Sequence, residues 1–227
     1  MARGALTSGV AFATLLLLTT GCGGAETAPP PPRAALTPTP GPAAFPADEA
    51  SFGRFHSKRF LLSFPLPDGK AWKIDDHRGP QLVATHAPTS SSLQVAITRE
   101  TELTSRARCE ARARELGWVP DGPRAPLTTV EEHVQTGPEA YDSRVWVALQ
   151  PGKPGGPVQG HVFLFGGFLR QCLFVHFATE VPSSHDEDVL AARLALVRTR
   201  VLRGLELDPP RVTEEAEVPR TKPNITR

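Results

Sequence analysis

Four residues in the central part of the chain have side chains that could do chemistry: Cys109, Cys172, His161 and His176. A thiol beside an imidazole can have a lowered pKa and act as a nucleophile. Thiols and imidazoles together could ligate a metal ion, and the two thiols alone could form a disulfide. The sequence has no CxxC, HExxH or HxxxH spacing. It therefore predicts no metal, no cofactor and no catalytic residue, and leaves the Cys172/His161 pair as the alternative chemical site.

Two further clusters combine carboxylates with an imidazole, Asp75-Asp76-His77 and Glu131-Glu132-His133. Both adjoin turns, and adjacent residues of a strand point to opposite faces, so solvated edges are favoured over acid and base pairs. A third charged group is predicted to form the solvated face of a helix that could meet an acidic partner. It consists of Arg106, Arg108, Arg112, Arg114, Glu110 and Glu115.

A β-hairpin over residues 158–178 is the element that positions most of these side chains. Two apolar strands meet at Gly166-Gly167, a pair that suits a two-residue turn. This turn sets His161 opposite Cys172. One face then carries His161, Phe163, Phe165, Phe168, Cys172, Phe174 and His176. The other carries Val162, Leu164, Leu169, Leu173, Val175 and Phe177. Both faces are apolar, so both must be covered.

Two helices are predicted to cover the two faces. The first runs over 104–116, with Thr104 or Ser105 as its cap and Gly117 after its end. The second begins at the capping box of Ser184 and Glu187 and ends at Gly204. Its apolar stripe consists of Leu190, Leu194, Val197 and Val201. With the remaining strand candidates, this predicts an α+β protein, an α/β/α sandwich whose antiparallel sheet has one helix on each face.

Composition excludes several classes of protein. The chain has 227 residues, 24 of them proline, 19 glycine and 3 cysteine, which excludes collagen, coiled coils and disulfide-dense scaffolds. Removal of residues 1–21 takes away Arg3 and leaves 24 basic and 24 acidic side chains. A net charge of zero argues against nucleic acid as a partner.

The start of the chain has the pattern of an export signal. Arg3 precedes an apolar run of about 14 residues, shorter than the roughly 20 that span a membrane, so a cleaved signal peptide is favoured. The following Thr19-Thr20-Gly21-Cys22 resembles the bacterial lipobox, in which the cysteine is acylated and becomes the mature N-terminus. Gly23 after it resembles a signal for the outer membrane. An ordinary signal peptide with a chance cysteine is the alternative.

The lipobox resemblance implies that Cys22 carries the lipid anchor, with acyl groups such as palmitate. Two or three acyl chains hold a protein stably at a membrane. The protein would be an exported outer-membrane lipoprotein that faces the periplasm or the cell surface. In that oxidising compartment, Cys109 and Cys172 are predicted to form a disulfide. The helix over 104–116 then lies on the face of Cys172, and the Leu190 stripe covers the other face.

The predicted organisation has four parts. A lipoprotein signal peptide covers 1–21, and a disordered Pro/Ala-rich tether covers 22–50. The folded domain covers 51–207. A disordered tail covers 208–227, because Asp208-Pro209-Pro210 stops regular structure.

The order of elements resembles a known family. A strand of the form Phe60-x-Leu62-x-Phe64-Pro65, followed by Trp72, further strands, a helix, a meander and a long terminal helix, is similar to the PsbP/Mog type of domain over roughly 52–207. The resemblance implies an antiparallel sheet between helices. It also implies a non-enzymatic module, since characterised members are photosystem accessory subunits and a nuclear-import factor that binds a GTPase.

Together these patterns indicate a membrane-anchored bacterial lipoprotein with a non-catalytic binding or assembly domain in the cell envelope. Its expected partners are the membrane, through the lipid anchor, and an unidentified envelope protein. The alternatives are a small envelope enzyme or redox protein that uses Cys172 and His161, and a purely structural coat or spacer protein.

Overall fold

The structure is a computed structural model that describes residues 41–120, 126–134 and 137–208, without the side chain of Glu131. The predicted signal peptide, Cys22 and nearly all of the predicted tail lie outside these residues. Within them, the strands are β1 Gly53–Ser57, β2 Leu62–Leu66, β3 Trp72–Asp75, β4 Leu82–His86, β5 Ser91–Arg99, β6 Thr128–Val134, β7 Asp142–Gln150, β8 Val158–Phe168, β9 Gln171–Val181 and β10 Glu206–Leu207. The helices are α1 Arg106–Glu115 and α2 Glu187–Leu196, and α2 continues into a π-helical turn over Val197–Leu202. None of the described helices is long and apolar enough to cross a membrane.

The strands form two sheets. The larger has seven antiparallel strands in the order β3-β4-β5-β9-β8-β7-β6, and the smaller has the order β1-β2-β10. An α+β protein with an antiparallel sheet and two helices is therefore confirmed. The structure differs from the predicted sandwich, because the strand candidate over 60–64 contributes to the smaller sheet and not to the larger one. That sheet packs with α2 on one face of the larger sheet, through Leu62, Phe64 and Leu66.

The larger sheet has an apolar core on each face. The α1-face core joins Cys109 and Ala113 of α1 to residues of β8 and β9. These sheet residues are Phe163, Phe165, Cys172 and Phe174. The α2-face core joins Leu190, Leu194, Val197 and Val201 to Val162, Leu164, Leu173 and Val175. Each helix thus packs on the face expected from the predicted Cys109–Cys172 disulfide.

The register of the β8–β9 hairpin differs from the prediction. The turn lies at Leu169-Arg170, so that Gly167 pairs with Cys172 and Phe163 with His176. The expected pairing of His161 with Cys172 is wrong, and His161 pairs with Ala178. Because the shift moves every partner by an even number of residues, the side chains within the strands keep their predicted faces.

The glycine pair has a packing role instead of a turn role. A Cβ atom on Gly167 would lie 2.7 Å from the backbone of Ser105, and one on Gly166 would lie 3.0 Å from the ring of Tyr141. Ser105 caps α1, because its side chain accepts the N–H of Arg108. Gly167 therefore lets the start of α1 lie directly on β8. The turn itself uses Leu169, whose φ of 52° lies in the left-handed region.

Ordered structure begins before the predicted boundary at residue 51. Phe45, within the predicted tether, is buried in the α2-face core. Its ring lies 5.0 Å from the ring of His86, and it also contacts Trp72 and Phe177. Burial of this aromatic side chain offsets part of the cost of ordering the segment around it.

Arg193 of α2 is 2% exposed and holds this N-terminal segment in place. Its guanidinium donates to the carbonyl oxygens of Ala43, Thr89 and Glu180, and to the hydroxyl of Thr179. Desolvation lowers the pKa of Arg193 from its ordinary value. A buried cation is tolerated when its N–H donors are satisfied, and the carbonyl oxygens satisfy them here.

The close contact at Gly167 leads to a first prediction. In Gly167→Ala, the new methyl group must displace the backbone of Ser105, and we expect a loss of about 1–3 kcal/mol in the free energy of unfolding. Urea unfolding followed by circular dichroism measures this loss. Gly41→Ala is the matched control, since nothing lies within 4 Å of its Cβ position. Equal stability of the two variants would show that α1 does not need the glycine.

Candidate functional site

The structure joins Cys109 of α1 to Cys172 of β9 in a disulfide, with their Cα atoms 5.3 Å apart. Both side chains are fully buried beneath α1. The bond closes a sequence separation of 63 residues. In the chain-entropy description, such a link contributes about 4 kcal/mol to stability. With its sulfur bonded, Cys172 has no thiolate to offer, and the geometry does not support the Cys172/His161 alternative.

The imidazole ring of His161 lies against that of His176 and not against a cysteine. Nδ1 of His161 lies 3.1 Å from Nε2 of His176, and the His176 ring stacks on Phe163 at 4.4 Å. Burial lowers the pKa of His161 to about 4. Burial and the neighbouring His161 lower the pKa of His176 to about 3. Both imidazoles are therefore neutral at pH 7, which suits a hydrogen bond in which one ring donates and the other accepts.

The two histidines lie where the α1 face of the sheet changes from apolar to polar. The row beneath α1 consists of Ala96, Phe174 and Phe165. Gln94, His176 and Phe163 form the next row, and Ser92, Ala178 and His161 the one after it. The last row consists of Glu180, Gln159 and Gln150. The polar rows lie beyond the C-terminal end of α1, where Leu116, Gly117 and Trp118 form a wall.

Two cavities over these rows share Gln159 and Ala178, and together they form what we call the polar trough. The first has a volume of about 470 Å³ and is lined mainly by Gln81, Gln94, Gln150, Trp118, His161 and His176. The second has a volume of about 510 Å³ and is lined mainly by Lys73, Thr85, Ser90, Ser91, Ser92 and Glu180. Volumes of this size are typical of sites for small molecules.

Most polar side chains of the trough have unused hydrogen-bonding capacity. Gln159 donates to the carboxylate of Glu180 at 2.8 Å. The half-buried amides of Gln81, Gln94 and Gln150 make no hydrogen bond to any other described residue. Each amide offers two donors and an acceptor. The trough can therefore bind a polar ligand without breaking bonds within the protein.

Sequence reasoning identified the two histidines but missed the glutamines. Their signal was weak, because Gln94, Gln150 and Gln159 lie on three different strands and form no motif in the sequence. They share one face only through the pairing of β5 with β9, of β9 with β8 and of β8 with β7. A search for polar residues on the helix-bearing side of apolar strands could have found them.

The two carboxylate and histidine clusters have structural roles. Asp75 accepts the backbone N–H groups of His77 and Arg78, and these bonds lower the pKa of its carboxyl group. Asp76 lies 3.4 Å from Arg59. In the second cluster, Glu132 pairs with Arg144 at 3.1 Å, and His133 contacts Arg198. The side chain of Glu131 lies outside the described residues.

The arginines of α1 are paired with carboxylates of the same chain. Arg106 binds Asp142, Arg108 binds Glu102, and Arg112 binds Glu115. Arg114 lies 3.3 Å from Glu110 and over the ring of Trp146. This pairing reduces the attraction of the helix for an acidic partner. Among the residues that the structure describes, no group of three or more His, Cys, Asp or Glu side chains is arranged to hold a metal ion.

Comparison with known proteins gives no match to a protein-family model or to a curated protein. Among solved structures, the chain is similar to the Ran-binding protein Mog1p of Saccharomyces cerevisiae, with a TM-score of 0.49 and 9% identity, over 69% of this chain and 95% of that one. It is also similar to a protein of Bacteroides thetaiotaomicron VPI-5482, with a TM-score of 0.40 and 12% identity, over 70% of this chain and 50% of that one. A Mog protein is thus among the structural neighbours. At these levels of similarity, neither neighbour supports an argument about function.

The buried histidine pair leads to a prediction about acid stability. Because the pKa values of His161 and His176 are about 4 and 3 in the folded protein and near 6.5 when unfolded, unfolding takes up protons below pH 6.5. Their contribution to stability is complete above pH 6.5 and is lost as the pH falls toward 4. The expected slope is up to about 1.4 kcal/mol per pH unit for each histidine.

Urea unfolding at pH 7.5, 6 and 5 measures this slope. The double variant His161→Gln/His176→Gln should lose this part of the pH dependence. His185→Gln is the control, because His185 is exposed and should leave the wild-type slope unchanged. A double variant with the wild-type slope would contradict the assignment of buried, neutral imidazoles.

Proposed function

We propose that this chain is a membrane-anchored lipoprotein of the bacterial cell envelope, whose folded domain binds another envelope component and catalyses no reaction. The observation that carries the binding function is the polar trough. Three amides there, those of Gln81, Gln94 and Gln150, have no partner among the described residues. Side chains with free donors and acceptors in a concave site are typical of ligand recognition.

A non-catalytic role is supported by the state of the groups that could react. Cys172 is bonded to Cys109, so no thiolate is available there. Nδ1 of His161 is bonded to His176, and burial keeps both rings neutral at pH 7. A general base needs a pKa near the working pH, and both histidines lie well below it.

The anchor and the location rest on the sequence of the first 23 residues. An apolar run that ends in Thr19-Thr20-Gly21-Cys22 supports acylation of Cys22, and Gly23 supports transfer to the outer membrane. From there the domain would face either the periplasm or the cell surface. Residues 22–42, which precede the segment that Arg193 and Phe45 hold on the domain, would act as the tether.

The anchor can be tested by cell fractionation and mass spectrometry. We expect the wild-type protein in the membrane fraction, with an acylated Cys22 as its N-terminus, and we expect Cys22→Ala to carry no acyl group. The control is Cys109→Ala/Cys172→Ala, which lacks the disulfide but should keep the acylated N-terminus and stay in the membrane fraction. An unmodified Cys22 in the wild-type protein, or recovery of that protein in the soluble fraction, would contradict the lipoprotein assignment.

The binding function can be tested separately in intact cells. A photo-crosslinking amino acid at position 94 in the floor of the trough should give a covalent product with another envelope molecule after irradiation. The same amino acid at position 58 is the control, because Lys58 is exposed on the turn between β1 and β2, outside the trough. Recovery of the free protein alone from the position-94 variant would contradict a binding role for the trough.

A further inference from the structure

We propose that the polar trough binds a neutral oligosaccharide chain. This inference rests on the proposed binding function and adds the chemical class of the ligand. Its first support is hydrogen-bonding chemistry. The amides of Gln94 and Gln150 and the hydroxyls of Thr85 and Ser92 can each donate and accept. Sugar hydroxyl groups also donate and accept, so they can pair with such side chains in any order along the trough.

The charge of the trough favours a neutral ligand. Among the described residues that line it, the Lys, Arg, Asp and Glu side chains are those of Lys73 and Glu180, and their charges are opposite. The carboxylate of Glu180 already accepts a hydrogen bond from Gln159. An anionic chain would meet only one cation, and would lie beside a carboxylate. A phosphate or a uronic acid is therefore disfavoured.

Trp118 provides the apolar surface that a sugar ring needs. It is half-buried in the wall beyond α1, and its ring packs on Phe174 with centroids 5.7 Å apart. An indole that is held by one neighbour loses little conformational freedom when a ligand binds. The C–H face of a pyranose ring can lie on such an aromatic side chain while its hydroxyl groups reach the glutamines.

The size of the trough fits a chain of several units. Its two cavities of about 470 and 510 Å³ both border Gln159 and Ala178, so they lie next to each other on the sheet. A single sugar ring would fill only a part of either cavity. An oligosaccharide can extend from the wall at Trp118 toward Lys73.

An extended peptide is the competing macromolecular ligand, and the sheet argues against it. Peptides usually bind to sheets by adding a strand at an edge, where backbone N–H and C=O groups are free. Most of the trough lies over β4, β5, β9, β8 and β7, each of which is paired with a strand on both sides. Over these strands it offers side chains alone, which suit hydroxyl groups better than a regular peptide backbone. Lys73 belongs to β3, an edge strand of the larger sheet, so the peptide probes of the test decide whether that edge adds a strand.

The test uses isothermal titration calorimetry and tryptophan fluorescence on the folded, disulfide-bonded protein. The probes are chito-, cello- and malto-oligosaccharides of four to six units. Oligogalacturonate is the anionic counterpart, and unstructured neutral peptides of the same length test the competing ligand. We expect at least one neutral oligosaccharide to bind with a Kd below about 1 mM, the weak end of specific recognition. The other two classes should bind at least tenfold more weakly.

Two variants connect this binding to the trough. Gln94→Ala/Gln150→Ala removes two hydrogen-bonding groups and should weaken binding by about tenfold. Gln171→Ala is the matched control, since Gln171 lies at the hairpin end of β9 and should leave the Kd within about twofold. Circular dichroism and Tm values establish that both variants are folded. If the double variant is unstable, Trp118→Phe provides a second test, with an expected loss of affinity and of the fluorescence change.

The inference is overturned if no neutral oligosaccharide binds, if oligogalacturonate or a peptide binds best, or if Gln171→Ala weakens binding as much as the double variant does. These failures differ from a failure of the proposed function. If the position-94 variant gives a cross-linked product but no sugar binds, the binding function stands and the oligosaccharide is rejected as its ligand. If a neutral oligosaccharide binds in the trough but no cross-linked product forms, the ligand class stands and a captured envelope partner is rejected.

Discussion

One buried cation connects segments of this domain that are far apart in the sequence. Arg193 of α2 donates to carbonyl oxygens of Ala43, Thr89 and Glu180, which belong to the N-terminal segment, the turn after β4 and the end of β9. Without the guanidinium, the carbonyl of Ala43 would lose its side-chain donor, whereas the carbonyl of Thr89 would keep the hydroxyl groups of Ser91 and Thr179. Without the carbonyls, the cation could not be buried at all. Arg193 and Phe45 thus hold the same N-terminal segment against the domain, the first by hydrogen bonds and the second by packing.

A second constraint explains why the trough exists. Gly167 lets the start of α1 lie against the hairpin end of β8, and the disulfide from Cys109 holds the helix on the sheet. With ten residues, α1 is about 15 Å long, whereas the strands β8 and β9 have eleven residues each and extend for about 36 Å. A helix fixed at one end of such strands cannot reach the other end. Among the described residues, no helix covers the other part of this face, and its side chains are accordingly polar.

The residues that first suggested catalysis serve the fold instead. The two cysteines hold α1, and the two histidines stack on Phe163 as neutral rings at the boundary between the apolar and polar rows. What remains accessible is a set of uncharged donors and acceptors around Gln94 and Gln150. Such groups bind by hydrogen bonding and transfer no protons, which is the physical basis of both proposals.

The sequence by itself determined the α+β class and both helices. These depend on local periods of 2.0 and 3.6 residues, which are visible along any short stretch of chain. The face on which each helix packs followed from the predicted Cys109–Cys172 disulfide and the alternation of the hairpin strands. Tertiary structure alone decided the hairpin register, because Gly166-Gly167 suits a turn and a close contact equally well until Ser105 is in place. It also decided that Phe45 is ordered and that the smaller sheet and the trough form. Each of these depends on segments that meet only after folding, as Gln94 and Gln150 do, and no local pattern records which distant strands will become neighbours.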